Sequence, residues 1–385
     1  MKELLDLLGG PGALPLKKAD GTPAVVGIKV NLVSPMAPEK AGTTHPSLLR
    51  ALCGILTEQG CDVIIGDSPG GIYTEGYLGM VYHSCGLEEL EKMGDPDRGI
   101  GSVRLNRNFN VSKAAFPEAV SLKNFEYTSW LDDCDVLINF AKLKTHAMLT
   151  MTCAVKNLFG TIPGTQKPEC HMRFPEITAF ADVMVDLNEY FRPVLSIVDA
   201  VVGMEGNGPT SGTPRGIGYL LASRNPYCLD MICADLIGLT RENVQTLQQA
   251  YVRKLGPAAP EEVCILTPEG MTWDREERRI RDYRLVSKPR TITFGGGPLG
   301  ALITGVLKTA VGTRPQVTAK ECIGCGKCGN ICPAHAIQMK ERLPKIDRNL
   351  CIHCFCCQEF CPAGAMKVHH TLVGRLVTKI NTPGR

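Results

Sequence analysis

The residues best equipped for chemistry are cysteines crowded toward the end of the chain. From Cys322 the sequence reads Cys322-x-x-Cys325-x-x-Cys328-x-x-x-Cys332-Pro333, and from Cys351 it reads Cys351-x-x-Cys354-x-x-Cys357-x-x-x-Cys361-Pro362. Every thiol recurs at an offset of 29 residues, and the repeat extends to Ile323 with Ile352, Ala334 with Ala363, Ala336 with Ala365 and Ile337 with Met366. Two copies of one supersecondary unit are implied. A four-iron cube needs one thiolate per iron. Three closely spaced cysteines on a tight loop can reach three corners, and the fourth must come from elsewhere. Zinc usually takes two CxxC pairs or mixed Cys/His sets. A doubled three-plus-one run ending in Cys-Pro points instead to two [4Fe-4S] clusters and to one-electron chemistry.

The pattern closely resembles bacterial ferredoxins, in which the last cysteine of each run ligates the other cluster. The resemblance implies that Cys322, Cys325, Cys328 and Cys361 hold one cluster, while Cys351, Cys354, Cys357 and Cys332 hold the second. Pro333 and Pro362 turn the chain away where it changes clusters. Cys356, beside Cys357, has no slot in that scheme and is expected to be an inert thiol. Ile323, Ile331, Ile337, Ile346, Ile352 and Phe360 are placed to wrap the sulfurs and limit water access.

The remainder of the chain must provide whatever those electrons act on. Its 385 residues, 44% hydrophobic and 21% charged, have an ordinary globular composition with room for a large domain and a small one. A net charge of +3 gives no reason to expect nucleic acid or an anionic membrane as partner. Glu3 and Asp6 interrupt the apolar N-terminal run, which reads as a short helix and not as a secretory signal. The Gly-rich stretch from Gly295 to Val306 is far too short to cross a bilayer, so no membrane span is expected. Eighteen cysteines without a secretion signal indicate reduced thiols and a cytoplasmic setting. Nine lie singly between Cys53 and Cys264 and nine within Cys322 to Cys361, an asymmetry that marks a domain boundary.

From Pro23 to Ala310 short apolar runs alternate with helical patterns. This is the signature of an α/β domain with a large, open, mostly parallel sheet, here followed by a small α+β ferredoxin-like domain. Strands are expected at Ala24 to Val30, Cys61 to Gly66, Asp135 to Phe140, Leu195 to Asp199 and Thr291 to Phe294. Helices are expected at Pro46 to Gln59, at Leu149 to Phe159 with Gly160 as C-cap, and at Pro226 to Leu239.

In an open α/β sheet, ligands bind beyond the carboxyl ends of the strands. Polar residues cluster at those ends: Lys29 and Asn31, Asp67 to Gly71, Lys142 to His146, and Asp199 to Pro209. Lys142, Lys144, His146, Lys156, Asp199 and Glu205 are candidate catalytic residues, and Lys29, Asn31 and Asn157 candidate binding residues. Lys142 and Lys144 stand two apart and would share one face of an extended loop. With Lys29 and Lys156 they would make a pocket for carboxylate or phosphate, Gly-rich turns adding N–H donors. Each lysine alone reads more readily as an ordinary surface residue. His146 and His171, with Asp199 or Glu205, could relay protons or bind a metal, although their spacing fits no metal motif and a structural histidine is the plainer reading. GxGxxG after the first strand, GK[ST], GxSxG and HExxH are absent, which argues against the usual nucleotide enzymes and hydrolases.

Gly27-Ile-Lys-Val-Asn-Leu32, Leu143-Lys-Thr-His146 followed by Lys156-Asn-Leu-Phe-Gly160, and Val198-Asp-Ala-Val-Val-Gly-Met-Glu-Gly206 with Gly208-Pro209 resemble the domain-of-unknown-function family 362. The resemblance covers residues 20 to 310 and implies an iron-sulfur protein with a ferredoxin module at its C-terminal end; it implies no activity. The chain divides into an α/β domain (1–310), a ferredoxin-like domain (311–370) and a tail (371–385). Residues 295–316 read as a packed connector, and Leu372 to Ile380 as one apolar helical face docked on the protein's own surface. Two functions follow. Either the clusters pass single electrons to a small anionic substrate among the lysines, or the chain is a non-catalytic carrier whose large domain docks a redox partner. Both need an electron donor or acceptor protein.

Overall fold

Val26, Ile28, Val63, Ile65, Ile138 and Phe140 repeat with the period of two that buries one face of a strand, and all lie in one core. The computed structural model describes residues 1–268, 270, 274–286 and 313–370. In it β1 (Val26–Lys29) runs parallel between β2 (Val63–Gly66) and β6 (Val136–His146). β3 (Val103–Leu105) extends the parallel array beyond β2, and β8 (Leu195–Glu205) extends it beyond β6. β9 (Thr213–Ser223) closes the far edge antiparallel to β8, and the short β7 (Thr150–Thr152) folds back on β6. The resulting order is β3-β2-β1-β6-β8-β9, with β4 (Val111–Ala115) and β5 (Asn124–Thr128) forming a separate hairpin.

Helices cover both faces, as a buried parallel sheet requires. On one face α1 (Lys2–Leu7), α2 (Pro46–Glu58) and α3 (Glu75–Ser84) pack through Leu5, Leu49, Leu52, Leu56, Leu78 and Val81. On the other, α4 (Ala154–Asn157), α5 (Lys167–Arg173) and α6 (Ile177–Phe191) gather around Trp130, Leu158 and Phe180. α7 (Pro226–Leu236), α8 (Gln245–Val252) and the short α9 (Arg275–Arg278) complete the domain.

Two sequence expectations are corrected. The strand begun at Asp135 does not end at Phe140: it continues to His146, so Lys142 and Lys144 lie on β6 and not in a loop. The continuation is held because β8 also runs on, its pairing to β6 resuming at Lys144 and Met204 after a register shift. The helix expected from Leu149 to Phe159 is replaced by β7, by the single turn of α4 and by a 3-10 turn over Leu158–Thr161. Met151 and Thr152 pair back onto β6, and the buried Asp230 carboxylate accepts the N–H groups of Ala154 and Val155, which fixes the helix start there. Gly160 is therefore no helix cap. Its missing side chain lets the backbone pass over an ion pair: a Cβ there would stand 2.1 Å from Asp67 Oδ1 and 2.4 Å from Lys29 Nζ.

The C-terminal module repeats at the 29-residue interval. α10 (Lys327–Asn330) and β11 (Ile337–Lys340) of the first copy recur as α11 (Cys356–Glu359) and β13 (Met366–His370) of the second. β10 (Thr313–Val317) pairs with β13, and β11 pairs with β12 (Leu343–Ile346), so each antiparallel pair joins one strand from each copy. The expected strand at Thr291 to Phe294, most of the connector and the tail lie outside the described residues.

The module docks against the strand ends of the large domain. Gln358, fully buried, donates to the carbonyls of Asn207 and Gly208 at 3.1 Å each, and Thr210 Oγ1 donates to the Glu359 carbonyl at 3.0 Å. Phe360 lies over Gly70, where a Cβ would meet the ring at 2.3 Å.

Candidate functional site

The chain leaves β1 toward β2 on one side and later returns to the other side as β6. The carboxyl ends of β1 and β6 thus flank the point where strand order reverses, the place where an open sheet leaves a crevice. Four lysines line that crevice: Lys29 at the end of β1, Lys144 on β6, Lys156 on α4 and Lys167 at the start of α5. Lys29 Nζ pairs with Asp67 at 2.7 Å and donates to the Val30 carbonyl at 2.6 Å. Lys144 Nζ donates to Asn31 Oδ1 at 2.8 Å and to the Gly42 carbonyl at 2.6 Å, and Lys167 Nζ donates to the Ser68 carbonyl. Lys156 reaches no carboxylate within ion-pair distance among the described residues; its Nζ stands over the Phe159 ring, 5.7 Å from the centroid.

A chain of amides holds these strands in register. Asn31 Nδ2 donates to Asn157 Oδ1 at 2.9 Å, Asn157 Nδ2 to Asn139 Oδ1 at 2.7 Å, and Asn139 Nδ2 to the Ala154 carbonyl at 2.9 Å. All three are buried, so each lost bond would leave an unsatisfied polar group in the interior. Asn31 and Asn157 therefore position the lysines, and Asn31 also contacts one directly.

Other candidates are placed elsewhere. Lys142 and Asp199 pair with each other at 2.7 Å inside the protein, and Asp199 also accepts the His45 N–H at 3.1 Å. That pair ties β6 to β8 and does not line the crevice. Glu205 is held by Arg284, whose Nε donates at 2.7 Å and whose backbone N–H donates at 3.0 Å. Among the described residues neither Asp199 nor Glu205 pairs with a histidine ring. His171 stacks on Phe180 with ring centroids 4.3 Å apart. His146 Nδ1 accepts the N–H groups of Met148 and Leu149, both at 3.1 Å, which leaves the ring proton on Nε2. Nε2 faces the Glu359 carboxylate at 3.7 Å.

Glu359 and Lys167 are the charged crevice residues that the sequence did not mark. Glu359 sits in the cluster module, two residues from Cys357 and two from Cys361, yet lines the lysine crevice of the other domain. Burial opposes its ionisation, but His146, Lys156 and His171 outweigh it and hold its carboxyl well below the usual range. Burial also pulls all four lysines below the ordinary lysine value, Lys144 to about 7, with Lys156 adding repulsion, and Lys167 to about 8. His146 falls to about 4 for the same first reason and is neutral near pH 7.

These directions fix a pH dependence. As pH rises through about 7 and 8, Lys144 and then Lys167 lose their protons, and the affinity of the crevice for an anion is expected to fall. Calorimetric titration with sulfate, whose own charge is constant from about pH 6 to about pH 9, checks this; affinity that is flat or rising would contradict it. Folding stability moves the opposite way. Above about 7 the unfolded chain still binds the proton that folded Lys144 has released, so this group makes stability increase with pH up to the ordinary lysine range.

The cysteines of the module line two apolar cavities. Cys332 lines one together with Cys351, Cys354 and Cys357, walled by Ile337, Ile352 and Phe355. Cys361 lines the other with Cys322, Cys325 and Cys328, walled by Val317, Met339 and Met366. The last cysteine of each run thus faces the cavity of the other run. Among the described residues no three His, Cys, Asp or Glu side chains converge on a single metal ion. Four repeat cysteines line each cavity, the number that the corners of an iron-sulfur cube require. Cys356 is buried in the wall of the first cavity.

Two larger hollows carry less chemistry. One of about 330 Å³ is lined by Asp235, Arg275 and Arg279, which already pair with one another. The other, about 540 Å³, is a mostly aliphatic groove between α1 and β9.

A family model described as a domain of unknown function (DUF362) matches residues 26–235, and one described as a 4Fe-4S dicluster domain matches residues 321–365. A thylakoid-associated protein of Synechocystis sp. is 32% identical over 271 residues, 68% of this chain and 76% of that protein. Among solved structures, the lactate racemase apoprotein from Thermoanaerobacterium thermosaccharolyticum overlaps 54% of this chain and 47% of its own, at a TM-score of 0.35 and 13% identity. A protein from Thermotoga maritima overlaps 58% and 54%, at a TM-score of 0.32 and 12% identity. The chain spans about half the length of each of these two structures, and overlaps this loose bear on neither fold nor site. No helix among the described residues is long and apolar enough to cross a membrane. The first match runs from the opening residue of β1 through Lys29, Lys144, Lys156 and Lys167 to α7, and the second holds all eight repeat cysteines and Glu359; the chain belongs to the DUF362 family and carries a 4Fe-4S dicluster domain at residues 321–365.

Proposed function

We propose that this protein passes electrons one at a time between two [4Fe-4S] clusters and a small anion held in the lysine crevice, acting as a reductase of that anion. Cys322, Cys325, Cys328 and Cys361 would hold one cluster, and Cys351, Cys354, Cys357 and Cys332 the other. The observation that carries the reading is the four-residue helix α11, which brings Cys357 to one cavity and Glu359 to the crevice. When bound, each cluster supplies or accepts one electron. Lys144, Lys156 and Lys167 bind and orient the anion, the Asn31–Asn157–Asn139 chain fixes their spacing, and the protonated Nε2 of His146 lies at the Glu359 side. Lys142, Asp199 and Glu205 serve as internal braces. Electrons come from a separate donor protein, for which Ile323, 58% exposed beside Cys325, offers an apolar contact. In this proposal the α/β domain spans 1–310, the cluster domain 311–370 and a tail 371–385, and the protein acts in the cytoplasm.

Anaerobic reductive titration with EPR and iron counting tests it, followed by addition of small carboxylates and oxoanions to the reduced protein. About eight irons per chain and reoxidation by one of these anions is the expected result. Full clusters that no anion reoxidises, with a redox enzyme co-purifying in stoichiometric amount, would make the protein a carrier and overturn the reductase assignment.

A further inference from the structure

The crevice contains polar groups that the protein itself leaves without partners. Thr152 Oγ1 lines it, is 2% exposed as a residue, and has no hydrogen-bond partner. His146 does not line the crevice; its Nε2, on a residue only 3% exposed, makes no hydrogen bond and faces the Glu359 carboxylate at 3.7 Å. Lys156 Nζ has no carboxylate within ion-pair distance. A buried hydroxyl left unpaired costs stability, so the crevice is complete only with an acceptor at Thr152.

Size narrows what that acceptor can be. The free space is a cavity of about 50 Å³, room for roughly three or four waters and hence for one compact oxoanion. Charge narrows it further. Four lysines face two carboxylates, Asp67 and Glu359, and Asp67 is already committed to Lys29. Glu359 is committed to no lysine: its carboxylate stands 3.7 Å from His146, and no crevice lysine comes within ion-pair distance of it. It is a negative charge held at the edge of an anion site without occupying it.

Building on the anion-crevice reading, we propose that the site takes a single sulfate- or phosphate-sized oxoanion and that the Glu359 carboxylate is its built-in competitor. The arriving anion takes over the field of Lys144, Lys156 and Lys167 and accepts from Thr152, while Glu359 is repelled. Glu359 is on the same short helix as Cys357, so occupancy of the site is transmitted to the cavity lined by Cys332, Cys351, Cys354 and Cys357.

Sulfate binding to the anaerobically prepared full-length protein, followed by calorimetry, tests the proposal after iron analysis has shown each variant to match the native content. Glu359→Gln is expected to tighten sulfate binding at least tenfold, Glu359→Asp to tighten it by less, and Lys156→Ala placed on Glu359→Gln to remove the gain. The EPR spectrum of the reduced native protein is expected to shift on saturation with sulfate. Unchanged or weaker binding by Glu359→Gln overturns the proposal, and if that variant loses iron, the same comparison with Glu359→Asp decides it. Equal binding by native and variant proteins removes only the competitor, whereas no binding by any of them removes the anion crevice as well.

Discussion

A Cys332→Ser protein should retain about four of about eight irons, and the loss should fall on the cavity formed with the second cysteine run. Cys332 belongs by sequence to the first run, but it lines the cavity of Cys351, Cys354 and Cys357. A serine oxygen is a harder and less willing iron ligand than a thiolate, so the cluster lacking that corner should fail to assemble or be lost on purification. Its EPR signal should vanish while the other persists. Cys325→Ser is the matched control: Cys325 faces the cavity shared with Cys322, Cys328 and Cys361, and its loss should silence the other signal. If both substitutions removed the same cluster, the crossed assignment would be wrong. Iron determination with EPR of the dithionite-reduced proteins is sufficient to tell.

Replacing Lys144 and Lys156 together by Ala should weaken sulfate binding at least 100-fold while leaving iron content and cluster spectra as in the native protein. At an effective dielectric of about 20, one unit charge about 4 Å from an anion is worth about 4 kcal/mol, and partial deprotonation of Lys144 near neutrality discounts its share. A 100-fold loss is about 2.7 kcal/mol, well inside what two such contacts supply. Neither lysine lines a cysteine cavity, so the clusters should not register the change until an anion is added. Anion affinity that survives the double substitution would sink the crevice as a binding site. Retained affinity with lost iron would point instead to Lys144 and Lys156 as braces for the docked module.

Much of the frame was legible because it rests on local periodicity. The alternation of Val26, Ile28 and Val30, and of Val63 and Ile65, is a strand signal that needs no partner to be read. The 29-residue recurrence survives intact as a structural repeat, from α10 to α11 and from β11 to β13. Errors fell where long-range pairing overrode a local pattern. Leu149 to Phe159 carries helical spacing, yet Thr150 to Thr152 is drawn into the sheet by β6, and α4 begins only where the distant Asp230 carboxylate accepts its first N–H groups. Lys142 and Lys144 share a strand, yet the register shift beside them gives one to Asp199 and the other to Asn31 and the crevice.

The sequence by itself determined the chemistry available: eight cysteines spaced for iron-sulfur cubes, an α/β sheet, and basic residues at its strand ends. Tertiary structure alone decided which of those basic residues meet and what faces them. Lys167 joins because α5 begins beside the Asp67 loop, and Glu359 because the cluster module docks its helix on the strand ends through Gln358, Thr210 and Phe360. The physical reason is that a thiolate's affinity for iron and a side chain's hydrophobicity are properties of the residue and its near neighbours, and so leave a pattern in spacing. The partner of a buried charge is set by strand order and by docking across 149 residues of chain between Thr210 and Glu359, and no local pattern encodes it.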